Sequence, residues 1–471
     1  MSQASWLTGE SCGLFNFFRM PVSLAVYTCV GILLMMYLDI TVPPAEALVG
    51  RTFLFVQTSR IGFMLLIWCL SGAYWLREVA GDEEKGKPLR GRSLITVGLA
   101  LLLLWTIACA VKPVLSTDVG LYVAEGRQMV LYGQSPYLQP VDATMPDPFI
   151  SQMSRWWLDQ SSPYGPVALA SFALVTSLSI STLLGNIAGM KVLMTLFLAA
   201  TGLVAWKAYE GDRLRMTKTL ALVGNPIVIW MVIVDAHLDI MLTFFLILAV
   251  EAARRDRPVW SGLWLACSCG VKIFAVIFAP VFFFWLFARA QRLSTWFAGA
   301  FGAGFALVAT ASGLGDLSVM PMMDRLTFMQ ACLVPRLFAA LGATESVAKQ
   351  LSDLGYIGFA GGLYVALLRG RLSASLGFVA ALSFVGFLLT RPYWQPWYTV
   401  NFWPLLILET RRRETCFRVA SLWMVTVSLF WMEPPYRDVA VAPLFLLALY
   451  WTWKDLRVEP ASGKTFPEGS T

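Results

Sequence analysis

A succession of apolar runs constrains this chain more than any other feature. The first covers residues 21–40, another covers 94–111, and they recur to about residue 455. Several approach the roughly 20 residues that a helix needs to cross a bilayer. Inside hydrocarbon each backbone N–H and C=O must be satisfied within its own segment, so such runs fold as helices. The expected fold is all-α, a polytopic transmembrane helical bundle of about 12–14 spans. With 58% hydrophobic residues, 14% charged residues and a mean hydropathy of +0.66, an ordinary soluble domain is excluded. The first run is too long for a signal-peptide core and lacks a small-x-small cleavage site, so it reads as a span.

Charge orients the runs. Basic clusters at 77–92, 207–218, 254–257, 289–292, 369–371, 411–413 and 454–457 fall at alternate ends, the positive-inside pattern. The opposite face then receives 116–164, 235–239, the neighbourhood of Lys272, 316–349, 391–398 and 433–438, with both termini cytoplasmic. The net charge of +7 is thus explained by orientation, and nucleic acid is a poor partner. Three regions follow: residues 1–92 as an N-terminal hairpin and cytoplasmic loop, 93–455 as the membrane unit with an outer loop at about 113–166, and 456–471 as a disordered tail. Parity requires that 167–180 be an interfacial or re-entrant helix and 187–205 the crossing, which implies a cavity on the outer side. The runs 220–234, 238–250, 260–270 and 398–407 are short for spans, as around a binding site. Gly299, Gly302 and Gly304 lie within a run and read as helix packing rather than as a nucleotide loop. The eight cysteines lack the spacing of a disulfide framework or zinc site.

Polar residues at that outer rim are the candidates for chemistry. Asp118 stands at the mouth of the 94–111 run, where a carboxylate is costly unless it works, and it is the candidate catalytic base. Its bland reading is a helix N-cap together with Ser116 and Thr117. Tyr122, Glu125 and Arg127 follow on the same predicted helix, ended by a Gly133-x-x-Pro136-Tyr137 turn. His237, the one histidine of the chain, lies between Asp235 and Asp239 in a short turn. It suits hydrogen bonding to a sugar or to Asp118 better than a metal site. Lys272 binds a phosphate or snorkels. Arg391, Tyr393 and Trp394 sit in an aromatic segment that serves as an interfacial belt or grips a phosphate while Trp394 or Trp397 stacks on a sugar. Arg155, Trp156 and Trp157 admit the same two readings. A membrane unit without a soluble nucleotide-binding domain is suited to a donor carried on a polyprenyl phosphate. A carboxylate would take the acceptor proton and cations would stabilise the leaving phosphate, with no metal or other cofactor required by that charge count.

The order of these motifs resembles the GT-C superfamily of integral membrane glycosyltransferases, and within it the bacterial polyprenol-phosphate-mannose-dependent mannosyltransferases. The matching pieces are Asp118-x-x-x-Tyr122-x-x-x-Gly126-Arg127 through Pro136-Tyr137, then Tyr164-Gly165-Pro166, Asn225-Pro226 with Asp235-Ala-His237-Leu-Asp239, Gly270-Val-Lys272 and Pro392-Tyr-Trp-x-Pro-Trp-Tyr398. The resemblance implies a GT-C bundle and an inverting transfer of a hexose such as mannose. The acceptor would be a glycan, lipid or protein on the outer face of a bacterial inner membrane. Asp118 and His237 would be catalytic, and Tyr122, Glu125, Arg127, Tyr137, Tyr164, Asp239, Lys272, Arg391, Tyr393 and Trp394 would bind substrate. A Gly-His-Asn-Asp-like segment of the family falls on Ala236-His237-Leu238-Asp239, where this chain departs at the first and third positions. A transporter or flippase of lipid-linked saccharides is the alternative, and a non-catalytic subunit of the same fold is a third.

Overall fold

Helices are the regular structure throughout the described residues of the computed structural model. These are 22–41, 64–79, 91–113, 116, 118–141, 147, 149, 161–179, 182–312, 334, 337–338, 341–370, 375–390, 395–429 and 436–457. Arg155, Trp156, Trp157, Arg391, Tyr393, Trp394 and the 458–471 tail lie outside them. In chain order the helices are α1 (Val22–Thr41), α2 (64–79), α3 (Gly91–Ala110), α4 (Asp118–Tyr132), α5 (Pro166–Leu178), α6 (Leu183–Ala208) and α7 (Arg215–Val223). There follow α8 (Pro226–Val228) running into a π turn (Ile229–Val234), α9 (Asp239–Arg254), α10 (Pro258–Val271), a 3₁₀ turn (Ile273–Ile277), α11 (Phe278–Arg289) and α12 (Gln291–Ala311). The remainder are α13 (Glu345–Leu368), α14 (Leu376–Thr390), a 3₁₀ turn (Pro396–Asn401), α15 (Trp403–Glu409), α16 (Arg413–Leu429) and α17 (Tyr436–Leu456).

Among the described residues four helical runs are long and apolar enough to cross a membrane: Leu184–Ala208, Arg215–Val234, Gln291–Ala311 and Ser346–Leu368. The second is 94% buried over its most apolar stretch, against 17–33% for the other three. It is therefore the axis of the bundle, while the others turn residues such as Leu196, Leu307 and Ile357 outward. The expected 220–234 span is thus the end of a run of 20 residues rather than a short crossing. The others expected to be short are so: α9 has 16 residues, α10 has 14, and 398–407 divides between a 3₁₀ turn and α15. Helix α5, with 13 residues, spans about 20 Å and falls short of a bilayer core, whereas α6 has 26 residues and does not.

The central run is broken at Gly224-Asn225-Pro226, because Pro226 has no N–H and its ring excludes the preceding turn. Asn225 restarts the helix as its N-cap, its Oδ1 accepting from Ile227 N–H at 3.0 Å. The carbonyls freed by the break need donors in an apolar interior. Trp105 Nε1 donates to Val223 O at 3.3 Å and the Tyr27 hydroxyl to Gly224 O at 2.6 Å. Tyr27 is itself stacked on Trp75 and Trp68, with centroids 5.1 and 6.0 Å away. The N-terminal hairpin therefore seals the break in the central helix.

Helix α10 packs on α9 and α12. Of the three glycines expected to serve packing, Gly304 does so: a Cβ there would come within 2.7 Å of Ala266 Cβ. Gly299 and Gly302 face nothing within 4 Å among the described residues.

Candidate active site

Helix α4 begins at Asp118, whose N–H donates to Ser116 Oγ at 3.1 Å. Ser116 thus supplies the local cap, and its side chain also hydrogen-bonds the Asp118 carboxylate. Asp118, Tyr122 and Glu125 follow at i, i+4 and i+7 on one helix face, and all three are buried. Arg127 is nine residues past Asp118, half a turn round, and the structure assigns it to the loop instead. Its Nε bonds Asp147 Oδ2 at 2.7 Å and its guanidinium lies 3.9 Å over the Phe149 ring. Tyr122 stacks on Phe172 of α5 at 4.7 Å and meets Tyr164 edge-on at 5.2 Å. Tyr137 donates its hydroxyl proton to Tyr164 O at 2.9 Å, which closes the turn after α4 onto the start of α5.

The π turn of the central run supplies the second wall. Its wider ladder carries Asp235 N–H to Trp230 O at 3.0 Å and His237 N–H to Met231 O at 2.9 Å. Between them Ala236 takes φ 56°, a left-handed conformation that a residue with a Cβ seldom adopts. This reversal turns His237 toward α4, where Nδ1 stands 3.6 Å from Asp118 Oδ2. The imidazole stacks on Trp397 with centroids 3.9 Å apart and planes at 17°.

The third wall comes from the α10 end and the 3₁₀ turn at Pro396–Asn401. Lys272 Nζ bonds Asp239 Oδ2 at 2.7 Å and lies 5.1 Å from the Tyr398 ring centroid. Asn401 Nδ2 donates to Asp239 Oδ1 at 2.9 Å, so both Asp239 oxygens are held. Thr243 secures Asn401 in turn, bonding Val400 O at 3.0 Å and Asn401 Oδ1 at 3.2 Å. Gly165 and Gly270 bring the α5 and α10 pieces together: Gly165 N–H donates to Val271 O at 2.9 Å. A Cβ on Gly165 would fall on Gly270 O, so a side chain there would push Tyr164 away from Lys272.

Burial sets the electrostatics. It lifts the Asp118 carboxyl from 3.8 to about 6; Lys272 and Ser116 oppose that rise, and Asp239 and Asp235 add to it. Burial, and then Lys272, push the His237 imidazole well below its usual range, so it is neutral at physiological pH. A buried carboxylate with a near-neutral pKa beside a neutral imidazole and an anchored ammonium is suited to taking a proton while negative charge develops nearby. Among the described residues no three His, Cys, Asp or Glu side chains group to hold a metal ion.

A known family model matches the sequence over its N-terminal part. Residues 15–289, more than half of the chain, match the model described as "Alpha-(1->6)-mannopyranosyltransferase, N-terminal domain". The chain belongs to this mannopyranosyltransferase family. The matched stretch takes in the N-terminal hairpin as well as Asp118, His237, Asp239 and Lys272. Two curated family relatives from Corynebacterium glutamicum are similar over part of their lengths. Alpha-(1->6)-mannopyranosyltransferase B is 25% identical over 236 residues, 45% of this chain and 38% of the relative. Alpha-(1->6)-mannopyranosyltransferase A is 26% identical over 233 residues, 48% of this chain and 45% of the relative. The aligned region thus spans less than half the length of these two proteins. No solved structure matches the chain.

The structure brings together Asp118, Tyr122, Tyr164, His237, Asp239 and Lys272, and sets Arg127 apart with Asp147. Sequence reasoning missed Asn401 and the pairing of Trp397 with His237. An asparagine in the otherwise apolar run after Tyr398 was the available signal, since a buried amide in a bundle needs a polar partner.

Proposed function

We propose that the chain is a membrane mannosyltransferase that moves mannose from a polyprenyl-phosphate donor to an acceptor hydroxyl, with Asp118 as base. The carrying observation is the buried Asp118 carboxylate held 3.6 Å from a neutral His237 and within the field of Lys272. The family match supports mannose as the sugar. The positive-inside pattern supports placing the site on the non-cytoplasmic face.

In this reading Asp118 removes the acceptor O–H proton as the acceptor oxygen bonds to the anomeric carbon. The bond from that carbon to the phosphate oxygen breaks, its electron pair leaving with the polyprenyl monophosphate, which gains one negative charge. An ammonium has three N–H donors and the Asp239 bond uses one, so Lys272 can also meet this charge. His237, kept flat by Trp397, hydrogen-bonds a sugar hydroxyl or the base. Inversion that yields an α linkage, as in the names of the relatives, requires a β-linked donor. A primary hydroxyl at C6 of a mannose is the matching acceptor.

The test is an assay of purified protein with radiolabelled polyprenyl-phosphate mannose, glucose or arabinose and extracted membrane acceptors, with Asp118→Asn in parallel. Mannose transfer that the variant loses is expected. No transfer from any lipid-linked donor, or full activity in the variant, refutes the reading.

A further inference from the structure

A cavity of about 620 Å³ lies at the other end of the bundle from Asp118. It opens beside Arg213 and Leu214, just before the central helical run begins at Arg215, while His237 follows the end of that run. Twenty residues of helix, about 30 Å, separate the two. Three segments distant in sequence wall the cavity with Arg213, Arg411, Arg412, Arg413, Arg418 and Lys454. Against these six cations stand two carboxylates. Glu414 meets Arg418 at 3.2 Å on an exposed surface. Asp455 is buried and accepts the backbone N–H groups of Arg411 and Arg412 at 2.5 and 3.0 Å, so it holds the arginine-bearing turn in place. The cavity keeps a strong positive excess.

Positive-inside orientation accounts for cations at this face but not for their convergence on a concave site. A second observation names the occupant. Leu446, Tyr450 and Lys454 stand at i, i+4 and i+8 on one face of α17, and all three are exposed. Apolar, then aromatic, then cationic is the order in which a membrane presents acyl chain, interface and headgroup phosphate. This stripe ends in the cavity, where Tyr450, Trp451 and Lys454 are among the lining residues.

We propose that this cavity is a binding site for the phosphate headgroup of an anionic phospholipid in the leaflet opposite the candidate active site, with an acyl chain lying along the Leu446 stripe of α17. The experiment compares full-length protein in nanodiscs of phosphatidylcholine alone and mixed with phosphatidylglycerol, counting retained lipids by native mass spectrometry. Wild type is expected to retain phosphatidylglycerol selectively. Arg213→Gln combined with Lys454→Gln is expected to weaken that retention by about fivefold per charge removed, with Lys454→Gln alone as the milder variant should the double one misfold. Equal retention of the two lipids, or retention unchanged in these variants, overturns the proposal. A third arm adds inorganic phosphate: displacement of the lipid at millimolar phosphate would identify a soluble anion site and overturn the lipid assignment, whereas continued retention supports it.

Discussion

Helix α9 has a closed polar network at its C-terminal end and an open polar pair beside its N-terminal end. At its C-terminal end Arg254 donates to the Tyr209 hydroxyl at 2.8 Å, to Glu251 Oε1 at 3.0 Å and to Glu409 Oε2 at 3.3 Å, while Glu409 Oε1 accepts Gly377 N–H at 3.1 Å. That network ties α9, α6, α14 and α15 together and leaves no carboxylate oxygen of Glu409 without a donor. At the N-terminal end Asp239 is equally saturated by Lys272 and Asn401. The neighbouring Asp118 and His237 are not: their 3.6 Å separation is too long for a hydrogen bond, and the buried Nδ1 makes none. A closed network fixes helices, whereas an open pair in a low-dielectric pocket is costly to hold and is ready for a third group. That contrast separates scaffold from candidate chemistry within one helix length.

Asp118→Asn breaks the open pair with the largest effect. On the proposed mechanism, losing this base is expected to slow mannose transfer by about 10²–10⁴-fold. Stability should move the opposite way. Burial raises Asp118 from 3.8 to about 6, so the charged form is disfavoured by folding. Its contribution is most favourable below pH 3.8 and declines as pH rises through 6. At neutral pH the cost is on the order of 3 kcal/mol, and removing the charge should raise the melting temperature in detergent. A scaffold aspartate would give the reverse result, a less stable protein, which a melting curve on the same sample would reveal.

Arg254→Met tests the closed network. It strands Glu251 and Glu409, at about 2–3 kcal/mol; this is below the cost of breaking a fully buried pair, because the Arg254 side chain is 33% exposed. Chemical unfolding should register that loss while transfer per folded molecule stays at the wild-type level. A next-smaller effect concerns pH. If the base must be ionised, kcat/KM should climb about tenfold per pH unit below 6 and level off above it. Lys272→Met should move that midpoint upward, because Lys272 lowers the Asp118 pKa. An unmoved midpoint would separate Lys272 from the base.

How much of this was legible in the sequence depends on the range of the interaction. Apolar run length and basic flanks foretold the helical bundle and the short α5 before the long α6, since these are local properties. Asp118, His237, Asp239 and Lys272 stood out because ionisable residues are rare in such runs. For Arg127 the helical period already placed it opposite Asp118, but its partner Asp147, 20 residues on, could not be read from spacing. The sealing of the Pro226 break by Tyr27 links residues 197 apart, and Asn401 reaches Asp239 across 162. Spacing along the chain carries no information about such pairs.

The smallest effect concerns Ala236, where the family resemblance implies a glycine. The position takes φ 56° and is fully buried, so the Cβ costs about 1–2 kcal/mol in the left-handed region. Ala236→Gly removes that strain but gives the unfolded chain more freedom, about 0.4–1 kcal/mol in the opposite direction. The net expectation is a stabilisation of about 0.5–1 kcal/mol, read as a small rise in melting temperature. Because the turn is imposed by the π ladder through Asp235 N–H to Trp230 O and His237 N–H to Met231 O, glycine should leave His237 facing Asp118. Transfer should therefore be retained. Were transfer instead to fall while the melting temperature rose, the methyl of Ala236 would be holding the His237 turn in register, and strain at this position would belong to the open pair rather than to the scaffold.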